Sequence, residues 1–247
     1  MVTTQYFAMR TRRYMHDHGV TEIDLAEMAV LSSRAGAVNP VAWRRRKLTA
    51  AEVLAAPMVS DPLTQLMFCQ PNEGAVALVL ARGERAFELS EQPVRVAAIA
   101  ARSRGVESFE VYSPSMTPRR SGSPTAAAAA AALSSAGISA ADVDIAQVQD
   151  TDSGSAIISL AETGLCQDGE QSDLLADGSL SSEGGLAVNS DGGCLANGEP
   201  IGASGLRQVH EVVRQLQGRA LGLPAHPRPQ IGFTHVYGAP GISACSV

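Results

Sequence analysis

Residues 189–205 decide the reading of this chain: Asn189-Ser190-Asp191-Gly192-Gly193, four further residues, then Gly198-Glu199-Pro200-Ile201-Gly202-Ala203-Ser204-Gly205. Five glycines fall within fourteen residues, directly before a segment whose apolar residues Leu206, Val209, Val212, Val213 and Leu216 share one helical face. Glycines at the mouth of a helix let backbone N–H groups approach a ligand, and the helix end carries about half a positive charge, which favours an anionic group. The same glycines serve equally to let a helix pack closely on a sheet, so the local pattern leaves both roles open. A Walker A loop is excluded because Gly198 to Gly205 lacks the Gly-Lys-Ser/Thr ending, and the spacing is a poor dinucleotide fingerprint.

Working outward, Gly218 closes that helix. Residues 230–236 and 242–247 read as two strands joined by Tyr237-Gly238-Ala239-Pro240-Gly241, a tight turn able to lift side chains over a pocket. Upstream, Ser123-Pro124 supplies an N-cap and first position for an alanine-rich helix over 125–136, closed by Gly137. Ser139 to Asp142 caps a turn, 143–148 is a strand, and 153–163 a helix. Helix alternating with strand marks a layered α/β domain.

The first segment is helical. Residues 6–18 end at Gly19, Thr21-Glu22-Ile23-Asp24 caps a second helix through Leu31, and Thr49-Ala50-Ala51-Glu52 opens a short third. Gly74-Ala75-Val76-Ala77-Leu78-Val79-Leu80-Ala81 is a continuous apolar run, as expected of a strand covered on both faces. Residues 94–100 and 109–112 are further strand candidates, and 113–123 reads as a loop between two units.

The 247 residues carry 19 Lys+Arg against 25 Asp+Glu, a net charge of −6 that argues against nucleic acid as a partner. The longest apolar stretch, the alanine block ending at Leu133, is far shorter than the roughly 20 residues of a membrane span. Residues 1–13 lack the apolar centre of a signal peptide, so a cytoplasmic protein without membrane association is expected. Cys69, Cys166, Cys194 and Cys245 form no metal-ligand spacing and read as buried thiols, with no metal site expected.

The decisive stretch resembles the C-terminal signature of thiolases, Asn-x-x-Gly-Gly followed by Gly-His-Pro-x-Gly-Ala-Ser/Thr-Gly. Residues 58–63, Met-Val-Ser-Asp-Pro-Leu, and the run at 74–81 resemble the sterol-carrier or lipid-transfer branch, and 136–150 resembles the opening of its C-terminal half. The resemblance covers nearly the whole chain and about two-thirds of a full thiolase. It implies a thiolase-like layered αβαβα fold with the N-terminal half incomplete: a helical loop or lid region at 1–70, the tail of the N-terminal half at 71–112, and a C-terminal domain at 113–247. It also implies an acyl-CoA ligand, the thioester being substrate and no further cofactor being required. Asn189, Gly192, Gly193, Gly202 and Ser204 would then line the thioester site. Arg45, within the basic run Arg44 to Lys47, would meet the CoA phosphates, and a homo-oligomer is expected.

Two departures redirect the chemistry. The cysteine that thiolases acylate lies in a region with no counterpart here, and none of the four cysteines matches it. The signature histidine is replaced by Glu199, and a His-Asp pair of the sterol-carrier type by Gln149-Asp150. An ionised glutamate has only acceptors and repels an enolate, so Glu199 fits that role if burial keeps it protonated. Tyr237 stands in a turn resembling that of lipid-transfer-type aldolases of steroid side-chain degradation, which use tyrosine and work with a small OB-fold partner. A phenol whose surroundings lower its pKa can move a proton at a β-hydroxyl, and His235, two residues earlier, shares its strand face. Three readings follow: an acyltransferase completed elsewhere, a retro-aldolase using Tyr237 and Glu199, or a non-catalytic scaffold subunit.

Overall fold

Capping residues start the first helices. The structure, a computed structural model, describes residues 3–104, 122–238 and 241–247. Helix α1 (Thr3–His18) is followed by α2 (Glu22–Val38), where the Thr21 hydroxyl accepts from the Asp24 N–H and the Asp24 carboxylate accepts from the Thr21 N–H. Helix α2 runs well past the expected end at Leu31, because Gly36 lets it lie against residue 196: a Cβ there would stand 2.4 Å from the Ala196 Cβ. The Thr49–Glu52 box starts α3 (Ala50–Ala55), which leads to a small antiparallel pair, β1 (Met58–Ser60) and β2 (Leu63–Thr64).

After a short exposed helix, α4 (Arg85–Leu89), the elements are β3 (Ile99–Ser103), α5 (Pro124–Ala136), β4 (Ile145–Val148), α6 (Ser153–Glu162), α7 (Gln171–Ala176) and β5 (Ala187–Val188). Then come α8 (Gly193–Asn197), α9 (Ser204–Leu216), β6 (Gly232–Gly238) and β7 (Ile242–Ser246). They form a five-stranded sheet of order β3-β7-β6-β4-β5, parallel from β6 through β4 to β5 and antiparallel across β6-β7-β3. Helices cover both faces. Ala146, Phe233 and Cys245 meet the buried alanines of α5, whereas Ile145 and Gly232 face Val212 of α9. Central β4 is buried along its whole length, as a strand covered on both sides must be.

One core joins the N-terminal helical region to the middle of the chain: Phe7, Leu25, Met28, Leu63 and Met67 pack with Val148, Ile157 and Leu160. Among the described residues no helix is long and apolar enough to cross a membrane.

Two strand expectations change. The run 74–81 belongs to neither sheet, with Val79 89% and Leu80 82% exposed. Its apolar character asks for partner strands, and no described strand runs beside it. The strand expected at 94–100 begins only at Ile99, after Ala97 and Ala98 donate to the Val247 carbonyl at 2.7 and 3.1 Å. The strand expected at 109–112, most of the loop 113–123, and Ala239-Pro240 of the turn lie outside the described residues.

Candidate active site

Asn189 begins the site by standing in for backbone. Held at φ 47°, it accepts from the Val148 N–H through Oδ1 (2.9 Å) and donates to the Val148 carbonyl through Nδ2 (3.1 Å), extending the β4–β5 pairing with a side chain. The chain then turns sharply through Gly192 and Gly193. At Gly193 a Cβ would fall 1.9 Å from Asp150 Oδ2, so glycine is required by space as well as by its φ of 57°. The turn's N–H groups are used internally: Gly192 donates to the Asn189 carbonyl (2.8 Å) and Gly193 to Asp191 Oδ1 (3.0 Å). Asp191 also accepts from Gln147 (3.1 Å), Asn197 (2.9 Å) and Arg207. Asn189, Gly192 and Gly193 therefore build the floor of the site. Gly202 is exposed in the turn above it.

Glu199 is the centre of the constellation. Its backbone N–H donates to the Gln70 carbonyl at 2.8 Å, which seats it beside the strand end of β4. Gln149 Nε2 and Ser204 Oγ (3.2 Å) donate to Oε1, while Thr151 Oγ1 (3.0 Å) and the Cys69 thiol (3.5 Å) donate to Oε2. Gln149 is fixed in turn by Gln208, whose Nε2 donates to its Oε1 at 3.2 Å. Glu199 thus accepts from every partner. It does not stand as the donor expected from the histidine it replaces.

Behind Glu199, Asp150 accepts the N–H groups of Cys194 (2.6 Å) and Leu195 (3.3 Å). Burial pushes this carboxyl up to about 7, against the opposing charge of Arg207.

Tyr237 and His235 lie on the α5/α6 face of β6, with ring centres 6.1 Å apart, as their spacing along a strand requires. The Tyr237 ring packs on Phe7 and its hydroxyl is sealed from solvent. The Ser155 and Thr151 hydroxyls stand within its reach without closing a bond of normal geometry. Burial, then the carboxylates of Asp152 and Glu199, hold the phenol well above its ordinary pKa, so the expected lowering is reversed. His235 is fully buried, shares a 3.1 Å hydrogen bond between Nε2 and Thr125 Oγ1, and is pushed down to about 4 by burial. It is a neutral core histidine, and none of its hydrogen bonds reaches Glu199.

The thiols beside the site are protonated. Burial, with Glu199 and Asp150 nearby, raises Cys69, and burial with Asp150 raises Cys194. Cys245, remote from them on β7, is pushed up to about 12 by burial.

The basic run divides. Arg44 turns inward, donating to the carbonyls of Leu195 (3.1 Å) and Leu66 (3.4 Å), and Arg46 pairs with Glu52 at 2.6 Å. Arg45 is exposed, with one bond to the Pro40 carbonyl (3.2 Å), and the Arg44 N–H ties the segment to α8 through the Ala196 carbonyl (2.8 Å).

Thr151, Ser155 and Gln208 do not stand out in the sequence. Thr151 had a signal, its place at the carboxyl end of a parallel strand, where open α/β sheets gather ligands. Gln208 had none, being an ordinary polar residue of an amphipathic helix. A cavity of about 400 Å³ lies elsewhere, between residues 92–97 and α9, with Thr234 in its wall on the opposite face of β6 from Tyr237.

A doubly covered mixed sheet with a glycine turn packed on a buried aspartate, and polar residues gathered at the ends of β4 and β6, defines a thiolase-like α/β protein. The chain belongs to the thiolase family, its residues 109–247 matching the model of the thiolase C-terminal domain-like group. It is 34% identical over 239 residues to an acetyl-CoA acetyltransferase of Methanothermobacter thermautotrophicus, covering 96% of this chain and 61% of that protein. It is 32% identical to a 17-hydroxy-3-oxo-4-pregnene-20-carboxyl-CoA lyase of Mycobacterium tuberculosis, covering 93% of this chain and 57% of the relative. A solved structure, that of an Ltp2-ChsH2(DUF35) aldolase, shares the fold at a TM-score of 0.83 and 24% identity, over 99% of this chain and 63% of that one. The chain thus spans about three-fifths of the length of these relatives.

Proposed function

We propose that this chain supplies a CoA-thioester site in which Glu199, rather than a thiol, moves the proton, and that the site serves aldol-type cleavage of a β-hydroxyacyl-CoA. The observation that carries the reading is the set of donors around Glu199. Gln149, Thr151, Ser204 and Cys69 all direct hydrogens at a carboxylate, the arrangement of a held base. Acyl transfer through this chain would need a thiolate, and burial keeps Cys69 and Cys194 as thiols. In the aldol reading Glu199 takes the β-hydroxyl proton, the Cα–Cβ bond breaks to a carbonyl product and an acyl-CoA enolate, and that enolate is protonated at Cα. Similarity to both an acetyltransferase and a CoA lyase is compatible with this assignment.

Exposed Arg45, on the segment tied to α8, suits the CoA phosphates. A homo-oligomer and a small OB-fold partner belong to the same proposal, the latter supported by the two-component name of the solved Ltp2-ChsH2(DUF35) aldolase.

The test is to incubate the full chain with a β-hydroxyacyl-CoA and follow products and intact protein by mass spectrometry. Expected are a shortened acyl-CoA, an unmodified protein, and a loss of about hundredfold in turnover with Glu199→Gln. An acyl adduct on Cys69 or Cys194 without cleavage would overturn the reading.

A further inference from the structure

Gln149, just past the carboxyl end of β4, serves both oxygens of Glu199 with one amide. Its Nε2 donates to Glu199 Oε1 directly and to Thr151 Oγ1 at 3.3 Å, and Thr151 Oγ1 in turn donates to Glu199 Oε2 at 3.0 Å. The amide, the hydroxyl and the carboxylate close a ring, and the direction of its bonds depends on which end of the amide faces Glu199. With Oε1 there instead, Gln149 would set an acceptor against an acceptor and draw the Thr151 proton to itself. Glu199 would then lose two of its four donors at once. The two ends of an amide are almost the same size, so hydrogen-bond partners, not packing, choose between them. The second partner stands on α9: fully buried Gln208 donates Nε2 to Gln149 Oε1 at 3.2 Å. Gln208 Oε1 is buried without a hydrogen-bond partner, so this orientation satisfies Gln149 at a cost to Gln208 itself.

We propose that Gln208 is a positioning residue: by occupying the oxygen of Gln149 it locks that amide with its N–H groups toward Glu199 and Thr151, and so keeps Glu199 a proton acceptor. Its hydrogen bond reaches Gln149 and not Glu199, so its action passes through Gln149. This rests on the assignment of Glu199 as the proton-moving group. The other titratable groups facing Glu199 are the Cys69 and Cys194 thiols and the Tyr237 phenol, all held protonated, with Asp150 and Arg207 beside Cys194.

The experiment reads Glu199 directly. In protein labelled with 13C at glutamate Cδ, which leaves Asp150 silent, the Glu199 resonance is identified by its loss in Glu199→Gln and its titration midpoint is followed. Gln208→Met, which keeps the side-chain length and removes the donor, is expected to raise that midpoint by about one pH unit, a tenfold gain in proton affinity. Gln149→Met is expected to raise it at least as far, and the double change no further than Gln149→Met alone, because Gln208 works through Gln149. An unmoved midpoint in Gln208→Met, or a double variant that adds the two shifts, overturns the proposal. Should Gln208→Met fail to fold, the side-chain N–H resonances of Gln208 are followed in the native protein and in Gln149→Met. They must titrate with the Glu199 midpoint in the first and not in the second, and any other pattern is the overturning result. With a β-hydroxyacyl-CoA, Gln208→Met is expected to lower kcat about tenfold on the acid side of the pH profile, with recovery at higher pH and KM unchanged. A uniform loss at every pH is what a merely structural role gives, and it overturns the proposal. A native protein that cleaves nothing defeats the functional assignment, while the titrations still decide the role of Gln208.

Discussion

Asp150 shows what burial does to a single group. Its carboxyl, ordinarily near 3.8, is pushed up to about 7 chiefly by burial, although Arg207 and the Cys194 and Leu195 amides favour the charged form. Between about pH 4 and 7 the folded protein therefore keeps a proton that the unfolded chain has lost, and this group's contribution to stability falls as pH rises through that window. Glu211, raised by burial and by Asp191, acts in the same sense. His235 acts in the opposite one: held down to about 4, it stays neutral while the unfolded imidazole charges below about 6.5, so its contribution falls as pH drops from 6.5 towards 4. The expected outcome is that native protein loses stability relative to Asp150→Asn between pH 4.5 and 7, with the difference constant above pH 8. Urea midpoints at these pH values check it, and a pH-independent difference would remove the burial argument. At this scale the sequence marked Glu199, Tyr237 and the glycines. It did not mark Thr151 or Gln208, because only folding brings these common residues onto the glutamate.

Helix α5 illustrates the element scale. Ser123 caps it, Pro124 opens it and Gly137 closes it in the left-handed conformation, all legible from residue type. The inward face was not legible, since consecutive alanines have no periodicity. The fold buries Ala128, Ala129 and Ala132 against the sheet and leaves Ala130 exposed. Ala132→Leu should then destabilise by about 1–3 kcal/mol through overpacking, and Ala130→Leu by no more than about 0.5 kcal/mol, measured by chemical unfolding. Similar costs at the two positions would contradict the packing. Helix α9 carries the opposite lesson. Its apolar residues do share a face, yet Ser204, Gln208, Glu211 and Gln215 are among its most buried. That polar stripe is inward because it finds partners there, Gln208 on Gln149 and Gln215 on Ser190 and the Leu223 carbonyl. The valines Val209 and Val213 line the cavity opposite residues 92–97.

For the whole molecule, the uncharged segment 74–81 is the feature with most consequence. Val79 and Leu80 lie almost fully in solvent, and the segment pairs with no described strand. An exposed apolar segment of this kind promotes association. The combined change Val79→Lys and Leu80→Glu is expected to shift the chain towards a monomer in light scattering with its thermal midpoint unchanged; an unaltered size distribution would exclude this segment as the contact. What the sequence determined by itself were features of local origin: capped helix starts, glycine stops, the α/β alternation, and the signature that places the chain in the thiolase family. These depend on neighbours a few residues apart, whose backbone preferences survive in any context. Tertiary structure alone decided that the apolar run 74–81 pairs with no described strand, that the Tyr237 hydroxyl is sealed from solvent, and that Glu199 collects four donors. Strand pairing, burial and side-chain hydrogen bonding depend on residues 50 to 130 positions away, as Gln149 and Cys69 are from Glu199.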